Sequence, residues 1–420
     1  MNLSSEQPLI AAIKCHLSGD ILSAFELYAD VLSTDPDNVT ALINQGVILL
    51  AIEQPSDAAH LLKRAITLAP NDIEALNNYG NALQELGFPD QAIKQYEQAF
   101  ALDNTKSDVT GNLGRALLRR GDYLAATKIL KMAIRLDPEH TALRFIESLA
   151  LPIIPENIDQ LGNARKRMSS RVRSLKSSHL TISDPLNEIG MTNFYAAYQG
   201  QDDRKIQEQL ADAYRRSCPA LNFISPHINL QRKHKKIRVG FVSTHLGSHT
   251  IGKLNRALIT RLNKDKFEIF VFCPGLDTRL KDNTINDLAA HVDQIFFPIP
   301  TLSDTRKIIV KTALDILYYP DIGMEPLTYF LGFARLAPIQ CVTWGHPVTT
   351  GLQTIDYFIS SKLIETETAE SNYTEKLVRL DSFSTDYTLP KPLKLQKLRT
   401  SFNLNKNNHL YVCPQSLFKF

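Results

Sequence analysis

Along residues 5–140, small positions recur every 34 residues: Ala24, Ala58, Ala92 and Ala126 in one series, Gly46, Gly80 and Gly114 in another. Pro36, Pro70 and Pro138 keep the same interval, with Asn104 in the remaining place. Gly19, Gly87 and Gly121 mark a second turn in each unit, and Glu53 is the exception. A fixed period with two punctuation points predicts pairs of helices stacked in series, as four units over 5–38, 39–72, 73–106 and 107–140. The small residues let paired helices approach closely, and the proline step ends the second helix before the next unit begins.

The period is lost from Thr141 to Lys236, where "LPIIPENID" closes the array. Helices are expected around Ile158 to Lys176 and in "DDRKIQEQLADAYRRS", as packing or connecting elements. After Lys236 the rhythm changes to short runs rich in β-branched and aromatic residues: "IRVGFVS", "FEIFVFC", "QIFFPI", "DILYYP", "IQCVTW" and "DYFIS". Helix-length segments separate them, which predicts βαβ units and a mostly parallel sheet covered on both faces. Ligand chemistry is then expected beyond the carboxyl ends of the strands.

Composition narrows the functional classes. The formal charge of +3 on 420 residues is nearly balanced, so no global field points to nucleic acid or to a membrane surface. The basic runs "RKRMSSRVR" and "RKHKK" have no interleaved aromatics and read as solvated faces. Cys15, Cys218, Cys273, Cys341 and Cys413 are odd in number and lack CxxC spacing, which disfavours a disulfide framework and a zinc site and suits a reducing cytoplasm. No apolar run is long enough for a membrane span, and the N-terminus lacks a signal-peptide pattern.

Three strand ends carry unusual loops: "STHLGSHTIGKL" with His245 and His249, "YYPDIGMEP" with Asp321 and Gly323, and "TWGHPVTTG" with His346, Thr349, Thr350 and Gly351. Parallel strands bring such loops to one edge, which assembles histidines, a carboxylate and hydroxyls as a polar-substrate transferase requires. Singly, a loop histidine is more often structural than catalytic, and three loops of the same character on one edge shift that balance. His245 and His249 are four apart but have no HExxH context, so no metal site is expected. The glycines near His249 do not form GxGxxG, which disfavours a nicotinamide dinucleotide fold.

The 34-residue units resemble tetratricopeptide repeats. In such arrays the first helix of each unit faces a groove, and Asn44, Asn78 and Asn112 recur there. Their amides can grip an extended polypeptide backbone whatever its sequence, or asparagine is simply common at that repeat position. Together with "RVGFVSTHLGSHTIGKL", "YPDIGMEPLTYFLGFARLAPIQCVTWGHPVTTG", "DYFIS" and "YVCPQSLFKF", the array resembles the O-linked N-acetylglucosamine transferase family, in its bacterial SPINDLY-like branch, and more distantly the bacterial protein N-glucosyltransferases.

That resemblance implies an α-helical tetratricopeptide-repeat superhelix followed by an α/β Rossmann-like domain, the N-terminal half of a GT-B glycosyltransferase. The expected bounds are 1–140 for the repeats, 141–236 for a helical connecting region, 237–400 for the Rossmann-like domain and 401–420 for the start of a second one. It further implies an inverting enzyme that needs no metal or other cofactor and transfers a sugar, N-acetylglucosamine first among the candidates, from a UDP-sugar to Ser or Thr of a polypeptide held in the repeat groove. His249 matches the family histidine proposed as a base, and Asp321 is placed to receive the proton through water. His346, Thr349 and Thr350 match the loop that shapes the sugar site; Lys419 matches the lysine that neutralises the leaving diphosphate, with Gln415 near a family glutamine. Because most of a second Rossmann-like domain is not in the sequence, the chain by itself is expected to show little activity. The alternative is a non-catalytic repeat scaffold for peptides, and an unpaired "HLYVCP" strand would favour association with another chain.

Overall fold

The computed structural model describes residues 3–175, 179–231, 234–275, 282–299, 301–387, 397–405 and 409–411. The chain forms two compact units, Met1–Ile153 and Ile154–Phe420.

The first unit is helical throughout: α1 (Leu3–Ser18), α2 (Ile21–Thr34), α3 (Val39–Ala51), α4 (Pro55–Leu68), α5 (Ile73–Glu85), α6 (Pro89–Leu102), α7 (Ser107–Arg120), α8 (Tyr123–Leu136) and α9 (Thr141–Leu149). Local chemistry sets the boundaries. Asn38 and Asp72, one period apart, accept the backbone N–H of Ala41 at 3.1 Å and of Ala75 at 2.8 Å, capping α3 and α5. Pro55 and Pro89 open α4 and α6, where a missing N–H costs nothing. The turns between paired helices need a left-handed residue, supplied by Gly19, Gly87 and Gly121 at φ of +84°, +81° and +97°. Glu53 occupies the same conformation at φ +58°, so the exception in sequence is not an exception in backbone.

Close helix approach explains the second glycine series. A Cβ on Gly46, Gly80 or Gly114 would lie 2.8 Å from Leu62, 2.5 Å from Tyr96 or 2.7 Å from Leu130, each on the second helix of the same pair. The 34-residue period ends at 140, but α9 still belongs to the first unit. Its Leu143 lies 3.0 Å from the position a Cβ on Gly111 would take, so α9 covers the apolar end of α7 as a terminal cap.

In the second unit, α10 (Ile158–Leu175), α11 (Pro185–Glu188) and α12 (Arg204–Ser217) precede the sheet. The sheet and its helices follow as β1 (Ile237–Val242), α13 (Thr250–Thr260), β2 (Phe267–Pro274), α14 (Asn283–His291), β3 (Gln294–Ile299), α15 (Leu302–Thr312) and β4 (Ile316–Tyr319). The remainder is α16 (Pro326–Leu331), β5 (Ile339–Thr343), β6 (Tyr357–Ser361) and β7 (Lys376–Leu380). All pairings are parallel, in the order β3-β2-β1-β4-β5-β6-β7. The six apolar runs are β1 to β6. β7, "KLVRL", carries charge at both an end and the interior of a half-buried strand and gives no such run.

The segment expected to connect the two domains folds onto this sheet domain instead. Tyr214 of α12 is fully buried against Tyr329, Phe330 and Phe333. Backbone bonds join Ser225 to Arg335 and Arg335 to Phe223 at 2.9 and 2.8 Å. His409, Leu410 and Tyr411 lie in no strand, and the rest of the predicted "HLYVCP" strand lies outside the described residues.

Gly80→Ala tests the helix-pair contact. Alanine gains up to about 1 kcal/mol of helix propensity, but Tyr96 is buried and tied through its hydroxyl to Asn81 at 2.7 Å, so it cannot swing aside. Overpacking costs about 1–3 kcal/mol, and a net loss of about 1–2 kcal/mol in urea unfolding is expected.

Candidate functional site

The strand order reverses direction between β1 and β4, so the loops that follow these two strands flank the crevice where open parallel sheets bind ligands. A buried hydrogen bond joins them: Ser243 Oγ donates to Asp321 Oδ2 at 2.8 Å. Ser243 Oγ in turn accepts the backbone N–H of His245 at 2.8 Å. The loop after β5 packs on the same edge, with Gly345 N–H donating to the Pro320 carbonyl at 3.1 Å. Only glycine fits there, since a Cβ would stand 2.3 Å from that carbonyl oxygen.

Asp321 has no solvent exposure, and its Oδ1 has no hydrogen-bond partner in the structure. Burial pushes its carboxyl up to about 7; the Ser243 hydrogen bond opposes this and Glu325 adds to it. Near neutral pH the group therefore exchanges a proton readily, as a general acid or base must.

His249 stands at the start of α13, where its Nδ1 accepts the Ile251 N–H at 3.2 Å and caps the helix. In the neutral ring that bond assigns the proton to Nε2. In this geometry the neutral ring of His249 therefore presents a hydrogen-bond donor at Nε2. Its ring stacks on His245 with centroids 4.5 Å apart. The loop is held from the other side by Asp282, which accepts Ser248 N–H at 2.6 Å and Ser248 Oγ–H at 2.9 Å. Although partial burial works against it, these bonds and those from Thr284 and Ile285 hold the Asp282 carboxyl below its usual range.

The third loop is packed against its neighbours. His346 is 2% exposed, stacked on Phe194 at 5.5 Å, with Nε2 3.4 Å from the Phe194 carbonyl. Burial pushes its imidazole down to about 4, against the pull of that carbonyl, so it is neutral at ordinary pH. Gly323, at φ +103°, leaves it room: a Cβ there would be 2.5 Å from His346 Nδ1. Thr349 Oγ1 donates to Glu375 Oε2 at 2.6 Å, and Thr350 donates to Glu375 Oε1 through its N–H at 2.8 Å and through its hydroxyl. His346 bonds to the Phe194 carbonyl, and Thr349 and Thr350 bond to Glu375, so these contacts fix the loop's shape. Beside this loop lies a cleft of about 420 Å³, lined by Asp202, Asp203, Pro347, Thr349 and Tyr373 among others.

Ser243, Asp282 and Glu375 were not legible as site residues in the sequence. Ser243 lies within the loop after β1, but the other two are far along the chain from the residues they hold. Gln415 and Lys419 lie outside the described residues. Among the described residues no group of three or more His, Cys, Asp or Glu stands together as a metal site.

In the first unit, Asn44, Asn78 and Asn112 are all half-buried on the first helices of successive pairs. Asn112 Nδ2 donates to Asn77 Oδ1 at 3.0 Å, so this amide is engaged between neighbouring helices.

The architecture is that of a helical-repeat scaffold joined to a parallel α/β domain with a polar crevice at its switch point. Residues 16–78 and 71–139 match tetratricopeptide repeats, and residues 220–388 match glycosyl transferase family 41. The Arabidopsis thaliana probable UDP-N-acetylglucosamine–peptide N-acetylglucosaminyltransferase SEC is 27% identical over 198 residues, 44% of this chain and 19% of that protein. The UDP-glucose:protein N-beta-glucosyltransferase of Actinobacillus pleuropneumoniae serotype 7 is 34% identical over 93 residues, 22% of this chain and 14% of that protein. A solved mutant of the Thermobaculum terrenum O-GlcNAc transferase shares the fold, at TM-score 0.53 and 20% identity, covering 83% of this chain and 58% of that one. The match spans at most about a fifth of these curated relatives. With tetratricopeptide repeats followed by a glycosyl transferase family 41 segment, the chain is similar to O-linked N-acetylglucosamine transferases in its order of parts. No helix among the described residues is long and apolar enough to cross a membrane.

Asp321 generates a pH prediction. Its folded pKa is raised, so its contribution to stability is greatest below the unfolded value of 3.8 and is lost as pH rises to about 7. Above that the ionised, buried carboxylate costs on the order of 4 kcal/mol. Asp321→Asn keeps an acceptor for Ser243 and removes the charge. Its gain in thermal unfolding temperature over the parent is expected to be larger at about pH 8 than at about pH 5.

Proposed function

We propose that the chain carries the acceptor-side half-site of a protein glycosyltransferase that moves a sugar, N-acetylglucosamine foremost, from a UDP-sugar to a Ser or Thr hydroxyl of a polypeptide. The observation that carries this reading is Asp321: a fully buried carboxyl with a pKa near neutrality, hydrogen-bonded to Ser243 across the switch point and followed in the same network by the loop that bears His249. The relatives from Arabidopsis thaliana and Actinobacillus pleuropneumoniae, which bear the names of UDP-sugar:protein transferases, supply the substrate class.

In the proposed reaction the acceptor oxygen attacks the anomeric carbon, the bond from that carbon to the diphosphate breaks, and UDP departs with the electron pair, inverting the anomeric configuration. The hydroxyl proton passes through water to Asp321. His249 donates from Nε2 to an oxygen of the donor or acceptor and stabilises developing negative charge. Lys419 and Gln415 remain proposed contacts to the leaving diphosphate, in which no metal ion takes part. Asn44 and Asn78, with Asn112 supporting the row, hold the polypeptide along the repeats.

The test is incubation of the chain with UDP-N-acetylglucosamine or UDP-glucose and an acceptor polypeptide, read by intact mass, alongside calorimetric titration of each donor. Donor binding with at most a slow mass gain on Ser or Thr is expected from the chain by itself, and absence of both donor binding and mass gain would overturn the reading. His249→Gln retains a side-chain donor and should keep most of the transfer rate, whereas His249→Ala should lose about a hundredfold. Equal losses in the two variants would return His249 to the role of base.

A further inference from the structure

The open stripe of the repeat unit carries a charge pattern that backbone recognition by asparagines does not need. On each first helix, residues three and seven positions beyond the asparagine share its face: Asn81 and Glu85 on α5 with Asn78, Arg115 and Arg119 on α7 with Asn112. Successive first helices are adjacent, as the bond from Asn112 to Asn77 shows. Tyr96 marks the floor between α5 and α7, with its hydroxyl on Asn81 and with Arg115, Arg119 and Glu85 all within its electrostatic reach.

Arg119 is the unexplained member. Two basic residues end α7, where the helix dipole favours a cation. Arg120 fills that role and is paired with Asp122 and Asp90. Among the described residues no carboxylate pairs with Arg119, which is exposed, while the side chains around it lower its pKa by desolvation. Arg115, one turn back, is shifted the same way, first by burial and then by Arg119 itself. Two guanidinium groups one turn apart on one helix face repel each other and favour an anion beside them. The neighbouring stripe has the opposite sign: burial, then Glu53, raises the Glu85 carboxyl.

We propose that the repeat face takes an extended polypeptide segment bearing an acidic side chain, seated on Arg119 beside Arg115, with no acidic residue over Glu85. This deepens the peptide-groove reading above and rests on it. The requirement is one of charge, added to the sequence-independent grip of the asparagines. It selects acidic stretches as acceptors or docking segments.

The test uses the full chain and three fluorescently labelled, otherwise identical unstructured peptides whose central pair is Asp-Asp, Asn-Asn or Lys-Lys, with binding read by anisotropy. The acidic peptide is expected to bind about tenfold more tightly than the neutral one at low salt, and the advantage should shrink as salt is raised. Arg119→Glu, a solvent-accessible change, should abolish that advantage while leaving the neutral peptide's affinity unchanged, and Arg119→Gln should reduce it. Asn78→Ala should weaken all three peptides alike. Equal binding of acidic and neutral peptides, or an acidic advantage that survives Arg119→Glu, would overturn the inference and leave the groove standing. Absence of binding by any peptide would overturn the groove reading as well.

Discussion

The hydrogen bond from Ser243 to Asp321 joins the loops that follow the paired strands β1 and β4 at the switch point of the sheet. At a switch point the chain departs in opposite directions on either side, and nothing in the sheet's own hydrogen bonding ties the two loops together. A buried serine–carboxyl pair supplies that tie and at the same time isolates an ionisable group from water. The desolvation that makes Asp321 expensive to ionise is therefore the same feature that brings its proton affinity into the range useful for catalysis.

The loops around this pair are rigid for different reasons. The loop after β1 is pinned by the Ser248–Asp282 bonds and by the helix-capping nitrogen of His249, which gives that ring a defined tautomer. In the loop after β5, Glu375 collects bonds from both threonines and lies 4% exposed, so a buried carboxylate organises the turn. Residues before the sheet complete the enclosure, since Phe194 stacks on His346 and Thr192 Oγ1 donates to the Gly323 carbonyl at 2.8 Å. A segment with the composition of a connector is thus part of the wall around the crevice.

Much of the fold could be read from residue pattern, because its causes are local or periodic. The interval of Gly46, Gly80 and Gly114 marks contacts between helices that are neighbours in sequence, and six apolar runs mark strands that must be buried on both faces. The pattern failed at α9, which breaks the repeat yet caps it, and at β7, an edge strand whose charges hide its alternation. It failed again at residues 154–231, whose polar, proline-broken sequence gives no sign that Tyr214 and Phe194 are anchored in the sheet domain.

The candidate site divides in the same way. The order of runs and loops along the chain was enough to place His249, Asp321 and His346 beyond strand ends on one edge, since a parallel βαβ order admits no other arrangement. What each group can do emerged only once the chain was folded. A proton affinity depends on burial and partners from distant segments, as with Asp321 and Ser243, 78 residues apart. Likewise Thr349 and Thr350 are held by Glu375, and the His249 ring by an amide in its own helix. Electrostatics and hydrogen bonding act through space, and a linear pattern records which groups are present but not which of them meet.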